Sequence, residues 1–458
     1  MNFLQFFIWG SWLLTIGAYW FQNKQWSGTD FGSIFSTMGI ASIFMPALTG
    51  IIADKWINAE RLYGILHLLA AAALCYLPEV EDPDTFYYVI LVNMFFYMPT
   101  ISLSITVAYN SLKKNNLNVV KDYPPIRIWG TIGFIVALWV VSLTHNETSS
   151  NQFYIASFTS LLLGLYAFTL PKCPPQAKNT QKKTFIDLLG LHAFTLFGNR
   201  RFAVFFIFSM LLGAALQLTN AYGDTFLHDF ANVEAYKNTV AVKYPAIIMS
   251  ISQISETLFI LAIPFFLRRF GIKYVMLFSM IAWVLRFGLF AYGDPADGLW
   301  MIILSCIIYG MAFDFFNISG SLFVETQTDS KMRGSAQGLF MMMVNGFGAY
   351  FGSKISGIVI DKYFILPDGS KDWFHIWLSF AGYALVLAVI FPIIFKHQHD
   401  PAKMESVDLH SMPTEQVIIL REISSVTLVL SRRFSEGYIL ASFLANTILI
   451  TQKHKSIG

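Results

Sequence analysis

The chain has 458 residues, of which 55% are hydrophobic and only 13% are charged, and its mean hydropathy is +0.55. Soluble domains carry roughly 25% charged residues, so this composition excludes an ordinary water-soluble enzyme or binding protein. The formal net charge of +3 is too small to favour nucleic acid or an acidic substrate as a partner. The composition predicts an all-α protein that crosses a lipid bilayer many times.

Twelve apolar runs have the length of a membrane-spanning helix, which needs about 20 mostly apolar residues. The first begins at Phe3 without a basic segment before it or a small-residue cleavage site after it, so we predict a retained span. One long polar and basic connection divides the runs six and six. The predicted spans are 3–22, 31–53, 61–78, 85–109, 126–144, 152–171, 202–223, 244–267, 273–293, 299–324, 335–360 and 373–396.

Positive charge is concentrated in the loops that follow even-numbered spans, as at Lys113 and Lys114 and again at Arg268 and Arg269. The opposite loops are acidic, as at 79–84. The positive-inside rule therefore predicts that both termini and the central linker lie in the cytoplasm.

Two six-helix bundles joined by a cytoplasmic linker are typical of the major facilitator architecture, whose solute site lies between the halves. The loops Gly50-Ile-Ile-Ala-Asp54-Lys55 and 268–273 look like degraded copies of that superfamily's short loop motif. Asp54, at the end of a span, is predicted to be a gating charge. We predict bundles over 1–171 and 202–396, a linker over 172–201 and a cytoplasmic tail of unknown role over 397–458.

Two carboxylates, Glu256 and Asp314, lie inside predicted spans. Inserting a charge at that depth of the bilayer costs roughly 2.5–3.5 kcal/mol, so a charged residue there is expected to have a partner or a function. Binding a polar solute and carrying a proton are the two functions expected. A buried salt bridge is the structural alternative. Arg286 and Lys354, also within spans, are predicted to be structural partners.

Polar residues in four spans recur at helical spacing, so each set shares one helix face. Pro124 and Pro125 favour the start of the fifth helix. As alternatives, Gln217 and Asn220 could form hydrogen bonds between helices, and the Arg127 side chain could extend to the membrane surface. The sets are Arg127, Thr131 and Phe134; Gln217, Asn220 and Asp224; Ser252, Gln253 and Glu256; and Asp314, Asn317 and Ser321, with Tyr309 and Phe313 beside the last.

Carboxylates, carboxamides, a hydroxyl, a guanidinium and aromatic faces suit an uncharged ligand that is rich in hydroxyls and amide-like edges. Ribose hydroxyls of a nucleoside can donate to a carboxylate, base edges can pair with Gln or Asn, and the base can lie on an aromatic ring. A sugar fits nearly as well, so the residues alone leave both ligand classes open.

Other chemistry is not indicated. The scattered Cys75, Cys173 and Cys306 form neither a disulfide framework nor a metal-ligand pattern, so we predict no metal and no cofactor. His67, at the start of a span, is predicted to be an interface residue. Glycine-rich runs inside apolar helices indicate close helix packing. No nucleophile–base pair appears, so we predict that the protein is not an enzyme.

Three segments, 123–134 (YPPIRIWGTIGF), 250–259 (SISQISETLF) and 309–320 (YGMAFDFFNISG), resemble the bacterial nucleoside:proton symporters of the major facilitator superfamily. The resemblance extends from 3 to 396. It implies a monomer that imports nucleosides such as uridine or adenosine with protons across the inner membrane by alternating access. The implied solute site comprises Arg127, Thr131, Phe134, Gln217, Asn220, Gln253, Glu256, Tyr309, Phe313 and Asp314, with Glu256 and Asp314 as proton-coupling candidates.

The sequence departs from that family at two places. Ala215 stands where the family commonly has an acid, and the chain continues past Lys396 to 458, a tail that we predict to be dispensable for transport. A sugar or polyol symporter of the same superfamily and a nucleoside sensor that resembles a transporter are the alternative functions. Purine or pyrimidine preference, and the choice between the two acids, do not follow from the sequence.

Overall fold

The structure, a computed structural model, describes residues 1–117, 119–175, 191–329 and 332–397. Half of the predicted linker and nearly all of the predicted tail lie outside these residues, and the predicted domain boundaries stay predictions. The described residues form helices and loops, with one isolated antiparallel bridge between Ile365 and Lys371.

The first half contains six helical segments, α1 to α6, and polar side chains cap the starts of two of them. Ser27 accepts a hydrogen bond from the Asp30 N–H at the start of α2, and Asp82 does the same for α4. α1 is broken into Asn2–Gly10, Ile16–Ala18 and a π-helical turn at Tyr19–Lys24. The others are α2 Gly28–Lys55, α3 Ala59–Tyr76 (with a 3-10 turn at Leu77–Glu79), α4 Pro83–Lys114, α5 Val119–Leu143 and α6 Asn151–Ala167.

The second half contains α7 to α12. The helical stretch Pro245–Tyr292 consists of two of them, because Gly271 at φ 76° turns the chain between α8 (245–270) and α9 (272–292). The others are α7 Arg200–Asp229, α10 Leu299–Gln327, α11 Arg333–Met341 continued by Met342–Gly348 and Ala349–Tyr363, and α12 Trp373–Ile394; the short helices Leu191–Gly198, Phe230–Asn232 and Val240–Lys243 lie in the connections.

Each of the twelve predicted spans coincides with helix. Eight described helices are long and apolar enough to cross a membrane unaided; α1, α6, α8 and α11 are shorter, broken or interrupted. The predicted start of the fifth helix at Pro124 is wrong, because α5 begins at Val119. Pro124 therefore sits within the helix, where its missing N–H removes one backbone hydrogen bond.

Glycines let helices cross at close range, as the sequence indicated. A Cβ atom on Gly133 of α5 would lie 2.1 Å from the carbonyl oxygen of Phe3 on α1. One on Gly213 of α7 would lie 2.1 Å from the carbonyl oxygen of Val344 on α11. A larger side chain at either position forces the helices apart.

The two halves are joined at one end and separated at the other. At the joined end, Asp361 of α11 accepts hydrogen bonds from the Gly28 N–H (3.0 Å) and the Thr29 hydroxyl (2.7 Å) of α2. Further along the same two helices, Gly50 and Gly338 have no neighbouring atom within 4 Å of a Cβ position. We call these ends the sealed end and the mouth; the mouth adjoins the loops that the charge pattern predicts to be cytoplasmic.

Two further contacts between the halves close the sealed end. The Lys371 ammonium, in the connection before α12, lies 3.9 Å from the centre of the Phe21 ring and 3.3 Å from Asp229. Trp139 of α5 donates to the Ser250 hydroxyl of α8 at 3.0 Å. Polar, aromatic and backbone contacts together hold this end shut.

Candidate functional site

A cavity of about 800 Å³ lies between the two halves and extends to the mouth. This volume is within the range of small-molecule sites, roughly 300–1,000 Å³. Nine of the ten predicted solute-site residues line it; Asp314 does not. The lining set is Arg127, Thr131, Phe134, Gln217, Asn220, Gln253, Glu256, Tyr309 and Phe313.

The first half contributes the cation of the site. Arg127, Thr131 and Phe134 lie one helical turn apart on α5, and all three face the cavity. The Arg127 guanidinium lies 4.4 Å from the centre of the Phe6 ring, a cation–π contact that holds it against α1. Arg127 is thus packed at the cavity wall, close to the mouth end of α5.

The second half contributes the amides. Gln217 of α7 is only 2% exposed, and Gln253 of α8 is half-buried, yet the Oε1 atom of each accepts no hydrogen bond. Asn220 lies one turn beyond Gln217 on the same wall. Gln217 and Gln253 both line the cavity, and a buried amide oxygen without a partner in the protein is an acceptor that a polar ligand can satisfy.

The aromatic wall is formed by α10. The rings of Tyr309 and Phe313 stack with their centroids 5.9 Å apart and an interplanar angle of 9°, and both line the cavity. Two parallel rings present a flat apolar surface to a planar ligand.

The two acids occupy different places. Glu256 of α8 is half-buried and lines the cavity, on which Arg127 also opens. Asp314 lies behind the wall, 5% exposed, and its Oδ2 atom accepts no hydrogen bond. A solute in the cavity therefore meets Glu256 directly, whereas Asp314 is shielded by the helix that carries it.

Three of the four predicted faces are only partly correct. Asp224 does not line the cavity but lies at the sealed end, and Ser252 turns toward Arg286. Ser321 accepts and donates hydrogen bonds with Gln337 of α11. The side chain of Asp54, the predicted gating charge, lies outside the described part of the structure.

Arg286 has the predicted structural role, and its partners are two hydroxyls, a carbonyl oxygen and an aromatic ring. It is completely buried on α9, with its guanidinium 4.6 Å from the centre of the Tyr309 ring. It donates to the carbonyl oxygen of Ser305 at 2.7 Å and to the hydroxyls of Thr219 and Ser252 at 3.3 and 3.4 Å. Arg286 thus binds the three helices, α7, α8 and α10, that carry the second half of the site.

Lys354 and His67 differ from their predicted roles. Lys354 is exposed, with its ammonium 5.8 Å from the Tyr350 ring, so it is not a structural partner in the interior. His67 is completely buried and hydrogen-bonded to Gln5 (2.9 Å) and Ser160 (3.2 Å), so it is not an interface residue. Both corrections depend on helix rotation, which spacing within one span does not determine.

The sequence did not single out several lining residues, because apolar residues on apolar helices give no signal. Asn345 and three serines were detectable as polar residues within predicted spans, but none belongs to a repeated polar face. The missed lining residues include Phe6, Trp9, Met38, Ser42, Met98, Ser102, Met341 and Asn345.

Comparison with known proteins identifies the type of protein. A family model described as "Nucleoside H+ symporter" matches residues 1–400. The xanthosine permease of Escherichia coli K12 is 56% identical over 406 residues, which are 88% of this chain and 96% of that protein. The nucleoside permease NupG of the same organism is 52% identical over 400 residues, covering 87% and 95%.

Solved structures agree with the fold. A crystal structure of the nucleoside transporter NupG superposes with a TM-score of 0.81 at 52% identity, covering 87% of this chain and 98% of that one. A transporter of the POT family matches at 13% identity with a TM-score of 0.60, which supports the fold alone. The predicted fold class, an all-α membrane protein of the major facilitator architecture, is confirmed.

Proposed function

The chain belongs to the nucleoside H+ symporter family, and from this premise we propose that its cavity carries a nucleoside and a proton by alternating access. As a member of that family it is a membrane transporter and not an enzyme. The substrate-contacting residues, the orientation in the inner membrane and the substrate preference belong to the proposal.

The observation that carries the proposal is the chemistry of the cavity. The parallel rings of Tyr309 and Phe313 match the flat base of a nucleoside. The unpaired oxygens of Gln217 and Gln253 accept hydrogen bonds from base or ribose donors. Glu256 accepts from vicinal ribose hydroxyls, an interaction stronger than a neutral hydrogen bond because the acceptor is charged.

The proton is assigned to the two acids of the second half. Burial in a low-dielectric interior favours the uncharged form of a carboxyl group. Glu256 lines the cavity, so a solute and a proton both bind at this one carboxylate. Solute binding is therefore expected to change proton binding there. Asp314 is shielded from the cavity, so we assign it a structural and electrostatic influence on Glu256 and retain it as the second proton candidate.

The direction of the open cavity supports an inward-facing state. The mouth adjoins loops that carry the excess of Lys and Arg, which supports a location on the cytoplasmic side. The sealed end then faces the periplasm, and the alternate state requires the contacts of Asp361 and Lys371 to break. Rocking of the two halves around the cavity exchanges access.

Uptake of radiolabelled uridine into proteoliposomes tests the proposal. Accumulation that requires an inward proton gradient, and that excess adenosine but not glucose inhibits, is the expected result. Inhibition by sugars would replace the substrate class with a sugar or polyol. Saturable binding without uptake would replace transport with sensing.

A matched pair of variants tests the site within the same assay. Gln253→Leu removes an amide that lines the cavity and is expected to raise the KM for uridine about tenfold, the value of roughly 1.4 kcal/mol for a lost hydrogen bond. Gln337→Leu removes an amide that bonds only Ser321 in the described structure and does not line the cavity, and its KM is expected to stay unchanged. Equal effects of both variants would contradict the assignment.

A further inference from the structure

Three titratable side chains meet at the sealed end, away from the solute cavity. Glu147 belongs to the α5–α6 loop of the first half, whereas Asp224 and His228 belong to α7 of the second half. The His228 Nε2 atom lies 2.6 Å from Glu147 Oε2 and 3.4 Å from Asp224 Oδ2. All three side chains are buried, so the cluster crosses the boundary between the halves within the protein interior.

The charges of this cluster do not balance when both acids are ionised. Neither carboxylate oxygen of Asp224 accepts a hydrogen bond of good geometry. Glu147 accepts one from the backbone N–H of Ala246 at 3.3 Å. Even with a positively charged imidazole, two carboxylates leave one negative charge without compensation, and burying such a charge costs several kcal/mol.

Among the residues that the structure describes, the neighbouring charged groups do not compensate it. Asp229, five residues beyond Asp224 on α7, pairs with Lys371 from the connection before α12 at 3.3 Å. His145, two residues before Glu147, stacks on the Tyr244 ring with centroids 5.9 Å apart. One additional proton on the cluster would make it neutral.

We infer that Glu147, Asp224 and His228 form a second proton-binding site, distinct from Glu256 and Asp314, which takes up one proton when the sealed end closes. The inference rests on the proposed alternating access. When the halves separate at this end, water solvates the two carboxylates again and the added proton leaves. The proton returns to the side from which it came, so it drives no accumulation; it makes closure more favourable in acid.

The magnitude follows from linkage. In water, carboxyl groups titrate near 3.9–4.3 and imidazole near 6.5, so between about pH 4.5 and 6 the open cluster binds one proton, on His228. The closed cluster binds two. Uptake of one proton changes the closed-to-open ratio about tenfold for each pH unit, with closure favoured at the acidic end of this range.

Distance measurements between spin labels test this directly. Thr85 in the first half and Ala235 in the second are exposed at the sealed end and accept labels as cysteines. The exposed Cys75 is replaced by Ser, while Cys173 and Cys306 are buried. Double electron–electron resonance on the full chain in nanodiscs, with chelator and without nucleoside, then gives the closed and open populations. An Asp361→Asn background weakens the α2–α11 contact and raises the population of the open state to a measurable level.

The native cluster is expected to give a tenfold change in the population ratio for each pH unit between about 4.5 and 6. Asp224→Asn and, independently, Glu147→Gln leave one acid with one imidazole, so the ratio is expected to become flat in this range. Asp372→Asn is the control: Asp372 pairs with His375 at 2.7 Å within one helix of the second half, and Asn preserves its helix cap.

Retention of the native slope by both cluster variants, or loss of the slope in the Asp372→Asn control, would overturn the inference. The proposed function fails separately. Absence of uridine accumulation by a chain whose sealed end responds to pH as expected would remove the substrate assignment and leave the proton site intact. Normal uridine accumulation by a chain whose sealed end does not respond to pH would keep the substrate assignment and remove the second proton site.

Discussion

Two buried glutamines allow a sharp test of which polar groups are kept for the solute and which for the fold. Gln217 of α7 is 2% exposed, lines the cavity and has an Oε1 atom that accepts no hydrogen bond. Gln5 of α1 is 0% exposed and fully engaged: its amide donates to Thr100 at 2.9 Å, and its oxygen contacts Tyr63 at 2.7 Å and His67 at 2.9 Å. Methionine replaces either side chain at nearly equal size.

The two substitutions are expected to change different quantities, the KM for uridine in one case and the thermal stability in the other. Gln217→Met removes no hydrogen bond of Oε1 in the empty protein, so thermal stability is expected to hold or rise slightly. It loses about 1–1.5 kcal/mol of ligand binding, which raises the KM for uridine about tenfold. Gln5→Met leaves three buried partners without it, at about 1–3 kcal/mol each, so stability is expected to fall clearly.

The assay measures both quantities on the same preparations. The melting temperature in detergent reports stability, and initial rates of uridine uptake into proteoliposomes, corrected for the amount of folded protein, report the KM. The reasoning is refuted if Gln217→Met lowers the melting temperature as much as Gln5→Met while its KM stays at the native value. A rise in KM for Gln217→Met alone supports an amide held for the solute.

Three further predictions use the same preparations. Asp314→Asn removes one of the two proton candidates and is expected to abolish gradient-driven accumulation; a variant that still concentrates uridine would remove Asp314 from coupling. Arg286→Lys keeps the charge but loses the planar contact with Tyr309, so the KM for uridine is expected to rise severalfold with folded yield preserved, whereas an unchanged KM would limit Arg286 to a structural role. Gly213→Val places a side chain against the backbone of α11 and is expected to destroy folding or transport; Gly382→Val on α12, where no atom lies within 4 Å and no cavity is lined, is the tolerated control, and equal damage from both would contradict the close crossing.

Spacing within one helix predicts which residues share a face, but not how far along that face a cavity extends. Gln217, Asn220 and Asp224 fall on one stripe, yet Asp224 lies about 10.5 Å along the axis from Gln217, at 1.5 Å per residue. The cavity ends before that point, and the sealed end begins. The sequence showed the polar stripe and could not show that it serves two places.

The sequence also does not show which of two adjacent residues faces the cavity. Phe313 and Asp314 are adjacent, so their side chains differ by about 100° around the helix and need not face the same space. The structure turns Phe313 to the cavity and Asp314 into the wall. Contacts between distant parts of the chain, such as Gln5 with His67, depend on the packing of separate helices, which no local pattern encodes.

The position of α7 connects the solute site with the sealed end. One continuous helix, Arg200–Asp229, carries Gln217 and Asn220 at the cavity and Asp224 and His228 at the sealed end. Because a helix transmits displacement along its axis with little bending, a solute that pulls on the two amides also moves the acid and the imidazole relative to Glu147. Solute binding and proton binding at the sealed end therefore act on the same rigid element, and each is expected to change the affinity for the other by the same factor.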